Sequence, residues 1–282
     1  MPQNPQHWQS LARINRHERD LRIEFDEPTH RYYIDGDTNG WISCTGFIHA
    51  FFPHFDADKT IEKMMRSPKW PTNKLYGKTP EEIKKMWDDS KNEASGAGTL
   101  MHLAIEQYLN SAPDEIDPKN YDTSEWKYFQ KFWKKYSKTL EPYRTEWEVF
   151  SEKYKLAGSI DMIYKVKDTN NFEIYDWKRS KEIKSTNDWE SGYHPLDHLP
   201  HTNYWHYSLQ LNIYRWFLQT YYGLTITGLY LIVLHPGNSS YIRIQCNIME
   251  EEVQRMLQCR LRAVEAQSKD PIILPVPVSH SH

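Results

Sequence analysis

Cysteine is scarce: Cys44, Cys246 and Cys259 are the three in 282 residues, and none stands in CxxC spacing. That excludes a disulfide framework and a four-cysteine zinc or iron–sulfur site, and it suits a reducing compartment. No apolar run reaches bilayer-spanning length, and the opening MPQNPQHWQSLARINRHERD lacks the hydrophobic stretch of a secretory signal. No membrane partner is therefore expected, and an intracellular location is, with nucleus, cytoplasm and mitochondrion left open. A large excess of charge of one sign is also missing. With a formal net charge of −3, the molecule has no general attraction for nucleic acid, so any such binding must use local patches.

What the chain does have is aromatic surface: 11 Trp, 19 Tyr and 10 Phe, with charged residues at an ordinary 26%. Such a chain can bury a substantial core as one large domain or as a core with an appendage.

Two β-rich runs flank the turn-forming DGDTNG in IEFDEPTHRYYIDGDTNGWISCTGFI, which predicts an N-terminal hairpin centred there. In TPEEIKKMWDDSKNEA, Thr79 is placed as a helix N-cap, with Pro80 at the first helical position and Glu82 closing a capping box. GTLMHLAIEQYLN is a further helical stretch, with Leu100, Leu103, Ala104 and Leu109 near helical spacing, ending near Asn110. SEWKYFQKFWKKYSKTL follows as a strong helix. Its aromatics Trp126, Phe129, Trp133 and Tyr136 are expected to pack inward, and Lys127, Lys131, Lys134 and Lys138 to form a basic edge.

Three strand-like runs come next, RTEWEVFSE, AGSIDMIYKVK and NFEIYDWKRS, read as a meander. After an irregular stretch rich in His and Pro, NYWHYSLQLNIYRWFLQTYYG returns to helical spacing, with Gly223 suited to its C-terminal cap. ITGLYLIVLHP reads as a buried strand, SYIRIQCNI as its partner and EEEVQRMLQCRLRAVEAQ as a closing helix. This order predicts an α/β or α+β fold around a mixed central sheet. The domain plan has an accessory hairpin and helical region at 1–93, a core at 94–267 with a helical insertion at 111–143, and an extended tail at 268–282.

The chemistry gathers at the end of the third strand. Asp176 and Lys178 share one face while Trp177 faces the other. In isolation that reads as an ordinary salt-bridged strand end. If the preceding turn centres between Asp168 and Thr169, however, Asp161 falls directly opposite Asp176. Opposed Cβ atoms lie about 4.5–5.5 Å apart, close enough for two carboxylates to hold one divalent cation, with the Trp177 carbonyl nearby. Gly158 precedes Asp161 in GSID, where a missing side chain lets a neighbour approach. His102 and Glu106 share a helix face at i and i+4, and Gln210 and Tyr214 repeat that spacing later; both pairs can equally be structural.

GTLMHLAIE, GSID, DWK and QLNIY, in that order, resemble the PD-(D/E)XK nucleases of the RecB and mitochondrial genome maintenance exonuclease type. The motifs fall roughly between residues 94 and 235 and match that family's αβββαβ core. The resemblance implies that His102, Asp161 and Asp176 bind Mg²⁺ or Mn²⁺, with the Trp177 carbonyl completing the set. It implies that Lys178 orients or activates the attacking water, and that Gln210 and Tyr214 contact DNA. Arg179, Lys181 and Lys184 would extend the basic edge that holds Lys131 and Lys134, while Glu106 and Glu148 are further candidates without an assigned role.

Ile160 rather than proline precedes the first motif acid, and the cysteines of iron–sulfur relatives are missing, so no such cluster is expected. The N-terminal hairpin with CTGFIHAFFPHFD resembles nuclease-like proteins of large DNA viruses and some eukaryotes, which leaves the source open. His194, His198, His201 and His206 raise a zinc alternative, weakened by the absence of a companion cysteine and by two intervening prolines. The expected activity is metal-dependent DNA hydrolysis, by an exonuclease favouring single-stranded or frayed ends in replication, repair or recombination. The alternatives are an endonuclease of the same superfamily and an inactive nuclease fold serving as a DNA-binding module. A metal-free structural protein is the remaining alternative.

Overall fold

The computed structural model describes residues 6–269. The N-terminal region holds α1 (Ser10–Ile14), the strands β1 (Ile23–Asp26), β2 (Arg31–Ile34) and β3 (Ile42–Ser43), and the helices α2 (Cys44–His49) and α3 (Ala57–Met65). There follow α4 (Pro80–Leu109), α5 (Ser124–Tyr136), β4 (Leu140–Ser151), β5 (Leu156–Val166) and β6 (Asn171–Lys178). The chain continues through α6 (Asn203–Tyr221), β7 (Thr225–Val233), β8 (Ile242–Gln245) and α7 (Glu250–Lys269). The succession α4, β4, β5, β6, α6, β7 is the predicted αβββαβ core. The Pro-rich tail expected after the closing helix lies outside the described residues.

Two local expectations change. The N-terminal hairpin turns at Glu27–His30, not at DGDTNG, pairing Ile23 with Ile34 through Asp26 with Arg31. Thr29 donates to Asp26, and His30 takes a left-handed φ of +53°, which together close the reversal early. The two helical stretches around Gly96 and Gly98 are one helix, α4, which crosses residues 93 and 94 unbroken. Its start is the predicted capping box, with Thr79 accepting from the Glu82 N–H and Glu82 from the Thr79 N–H. Each glycine costs about 1 kcal/mol in a helix interior. Burial of Met101, Ala104, Ile105 and Leu109 offsets that, while Leu100 and Leu103, expected on the apolar face, are exposed.

The central sheet is mixed and six-stranded. Strand β5 pairs along one edge with β4, antiparallel, and β6 continues to β7 in parallel through the α6 crossover, with β8 antiparallel beyond. On its other edge β5 meets β6 only from Met162↔Tyr175 to Lys165↔Phe172, in the predicted register. One step beyond that ladder come Asp161 and Asp176. Strand β3 pairs with the same edge at Leu156 and Ala157. Residues 158–161 are thus left between two partners, in a notch where β5 and β6 diverge.

Each face of the sheet carries a core. Helices α2, α6 and α7 cover Ile174, Leu229 and Leu231, whereas α4 and α5 cover Tyr175, Trp177 and Ile232. Trp126, Phe129 and Phe132 of α5 are buried in that second core, Trp133 and Tyr136 are half-buried against it, and Lys127, Lys131, Lys134 and Lys138 are exposed, as expected. No helix among the described residues is long and apolar enough to cross a membrane.

Candidate active site

The notch is lined from four elements. Helix α4 contributes His102, whose Nε2 lies 2.9 Å from the Trp177 carbonyl oxygen at the end of β6. A carbonyl only accepts, so Nε2 carries the proton and donates, which turns Nδ1 toward two carboxylates. Nδ1 is 3.6 Å from Asp161 Oδ2 on β5 and 3.7 Å from Glu146 Oε1 on β4. The ligand atoms of His102, Glu146 and Asp161 all lie within 4.8 Å of one another. Among the described residues no other group of three His, Cys, Asp or Glu side chains is spaced to hold a metal.

Glu146 was not among the predicted residues. It faces Asp161 at a break in the β4–β5 ladder, which pairs Thr145 with Met162 and Trp147 with Ile160 but skips the pair between. There Glu146 adopts φ +40°, a left-handed conformation that costs a non-glycine residue on the order of 1–3 kcal/mol. Ser159 Oγ donates to its Oε2 at 3.2 Å. Glu148, carried as a candidate, instead lies beside Asp20 and Glu24; burial first, then those acids, push its pKa up to about 7.

Asp161 also replaces a ladder partner, because its Oδ2 accepts the Trp177 N–H at 2.9 Å. Asp176 turns to Lys178, whose Nζ is 2.7 Å from Asp176 Oδ2, and stands outside the three-residue group. That contact is an ion pair, and the buried Oδ2 keeps acceptor capacity beyond it. The Lys178 ammonium also lies 4.5 Å from the centroid of the Tyr207 ring on α6.

The electrostatics follow from burial. It drives the Asp161 carboxyl above its ordinary range against the pull of His102, and holds Asp176 up at about 6 against the pull of Lys178. For His102 burial acts downward, but Asp161 and Glu146 outweigh it and hold the imidazole at about 9. The imidazolium therefore stands where two carboxylates call for a cation. Imidazole Nδ1 and the carboxylate oxygens of Glu146 and Asp161 form a donor set suited to Mg²⁺ or Mn²⁺, while the Trp177 carbonyl is engaged by His102 Nε2 on the other side of the ring. The residues present fit a divalent ion.

Around this centre the remaining expected residues divide. Gln210 Nε2 lies 3.0 Å from Tyr214 Oη and 3.2 Å from Thr45 Oγ1, so the paired helix residues do act together, joined by an α2 residue the sequence did not suggest. Tyr214 packs against Gly158, where an added Cβ would stand 2.6 Å from its Oη. The close neighbour that Gly158 admits is thus this side chain.

Glu106 is buried and accepts from Gln9 Nε2 at 2.9 Å; burial first, then Glu146, bring its pKa to about 7. Arg179 is tied to Glu125 at 2.7 Å and is not a free cation, whereas Lys131, Lys134, Lys181 and Lys184 are exposed. The four histidines of the zinc alternative disperse: His194 pairs with Asp197, His198 with Glu252 and His201 with Glu190. His206 packs on Phe52 and His201.

The sequence model of the PD-(D/E)XK nuclease superfamily matches residues 74–271. Among solved structures, a "putative exonuclease" from Eubacterium rectale is similar at 14% identity with a TM-score of 0.37, covering 61% of this chain and 66% of its own. The chain therefore spans just under two thirds of that protein. The structure of SSO0001 is similar at 13% identity with a TM-score of 0.30, covering 80% of this chain and 78% of its own. No curated protein matches. With the family model covering well over half of the 282 residues, and an acid-and-lysine notch built on an αβββαβ core, the chain belongs to the PD-(D/E)XK nuclease superfamily.

Proposed function

We propose that this protein is a Mg²⁺- or Mn²⁺-dependent DNA exonuclease that hydrolyses phosphodiester bonds at single-stranded or frayed ends, in replication, repair or recombination. The observation that carries the reading is the His102, Glu146 and Asp161 cluster beside the buried Asp176–Lys178 pair. His102, Glu146 and Asp161 hold the ion, with Asp176 adjacent and the Trp177 carbonyl fixing the His102 ring through Nε2. A divalent cation bound there supplies charge neutralisation at the phosphate and makes water nucleophilic near neutral pH.

The chain's own groups do the rest. Lys178 has three N–H donors; one faces Asp176, and the others can hold the attacking water or a phosphate oxygen whose charge grows in the transition state. Gln210, steadied by Thr45 and Tyr214, contacts the substrate strand. Lys131, Lys134 and Lys181 supply exposed positive charge for its phosphates, and Arg179 braces the wall through Glu125. The end requirement rests on the motif resemblance to RecB-type exonucleases.

The test is degradation of end-labelled linear and circular single-stranded DNA with Mg²⁺, Mn²⁺ or EDTA, comparing wild type with Lys178→Ala. Metal-dependent loss of the linear substrate alone, reduced by orders of magnitude in the variant, is the expected result. Cleavage of both forms would make the protein an endonuclease, and binding without cleavage would make it a nucleic-acid-binding module. Because Lys178→Ala leaves Asp176 buried and unpaired, which costs about 3–5 kcal/mol, its folding is checked by circular dichroism in Mn²⁺.

A further inference from the structure

Close to the Lys178 ammonium stand Asp176 Oδ2 at 2.7 Å and the face of the Tyr207 ring at 4.5 Å. These two hold it in different ways. A carboxylate that also serves a divalent cation shares its charge, so its grip on Lys178 weakens when the ion binds. An aromatic face attracts the ammonium through its quadrupole and is no ligand for Mg²⁺ or Mn²⁺, so its hold persists.

Resting on the nuclease reading above, we infer that Tyr207 is the positioning residue for Lys178, keeping the ammonium over the reacting phosphate while Asp176 attends the cation.

The placement of Tyr207 is built into the fold. Its helix is fixed at the N-terminal end to the segment that leaves Lys178. Asn203 Oδ1 accepts the Lys184 N–H at 2.8 Å, Asn203 Nδ2 donates to the Glu182 carbonyl at 2.9 Å, and Trp205 Nε1 donates to the Ser185 carbonyl at 2.9 Å. Farther along, Asn212 donates to the Asn247 carbonyl and accepts the Met249 N–H, both at 2.8 Å. With α6 tied at these points, the backbone of Tyr207 is held beside Lys178.

Helical spacing gives the contact a wider context. Tyr207, Gln210 and Tyr214 stand at i, i+3 and i+7, on one face of α6. Tyr214 sits on Gly158 of β5, Gln210 reaches Thr45, and Tyr207 covers Lys178 of β6. One helix face therefore spans the notch from the strand bearing Asp161 to the strand bearing Lys178.

The test compares Tyr207→Leu, which keeps an apolar side chain without a π face, with Tyr207→Phe, which keeps the ring. Turnover and KM are measured on linear single-stranded DNA in Mn²⁺. The leucine variant is expected to lose kcat on the order of tenfold with KM nearly unchanged, and phenylalanine to restore most of it. A second readout does not depend on cleavage: reductive methylation of Lys178, followed by peptide mass spectrometry with and without Mn²⁺. The leucine variant should label faster than wild type in Mn²⁺ and at the wild-type rate without it.

Equal labelling of wild type and leucine variant in Mn²⁺ overturns the inference. So does a change confined to KM, or a phenylalanine variant as impaired as leucine. If wild type binds Mn²⁺ but cleaves no DNA, the nuclease reading fails on its own and the labelling comparison still decides Tyr207. If Mn²⁺ does not raise the wild-type melting temperature, both fall.

Discussion

Gly158→Ala is a perturbation whose sign separates two accounts of the GSID motif. Gly158 does not have a left-handed backbone, so in open space alanine would stabilise the protein by about 0.4–1 kcal/mol through the unfolded chain. The space is not open. The new Cβ would stand 2.6 Å from Tyr214 Oη, 2.7 Å from Cε1 and 3.0 Å from Cζ, and Tyr214 is only 2% exposed. Overpacking of this kind costs about 1–3 kcal/mol.

For a chain of this length, 1 kcal/mol corresponds to about 2 °C. The expected outcome is a melting temperature about 2–6 °C below wild type by calorimetry. Cleavage should fall with it, because a displaced Tyr214 cannot keep its hydroxyl 3.0 Å from Gln210. Adding Tyr214→Phe removes the closest overlapping atom, so the double variant should recover part of the stability, a coupling that a double-mutant cycle reads directly. A Gly158→Ala protein that melts at or above the wild-type temperature would refute the packing argument.

Mn²⁺ at a hundred times its Kd should stabilise the native protein by about 2.7 kcal/mol; Asp161→Asn should abolish most of the thermal shift, and a full shift in that variant would remove Asp161 from the ligand set. His206 supplies a pH prediction. Burial, then His201 and His49, lower its pKa to about 4, whereas the unfolded chain titrates near 6.5. The unfolded state therefore takes the proton first, and stability present above pH 6.5 should fall as the pH drops to 4. The fall is about 1–2 kcal/mol, because solvent reaching this half-buried ring screens part of the full linkage. His206→Phe should flatten that part of the melting curve against pH, and an unchanged slope would exclude the histidine. Lys131→Ala combined with Lys134→Ala should weaken single-stranded DNA binding and reduce the salt slope by roughly 0.7 for each phosphate that no longer meets a lysine. Titration at several salt concentrations checks this, and an unchanged slope would place both lysines away from the strand.

What was legible in the sequence was governed by short repeats. The period of two along NFEIYDWK put Asp176 and Lys178 on one face, and the hairpin turn fixed Asp161 opposite Asp176; the Met162↔Tyr175 register agrees with both. The same period could not choose between Glu146 and Glu148, which alternate with the buried Trp147. The choice is made by a left-handed residue and a skipped ladder pair, neither of which leaves a mark in TEWEV. Nor could local pattern foresee that Ile42 and Ser43 pair in parallel with β5, more than a hundred residues away.

That pairing nevertheless has a physical origin at the site itself. Where β5 and β6 diverge beside His102, Asp161 and Lys178, the edge of β5 preceding Asp161 has no partner from β6, and buried strand edges require one. Strand β3 supplies it at Leu156 and Ala157, and in doing so brings in α2 and sets Thr45 against Gln210. Strand β3 and the start of α2 therefore form a wall of the notch.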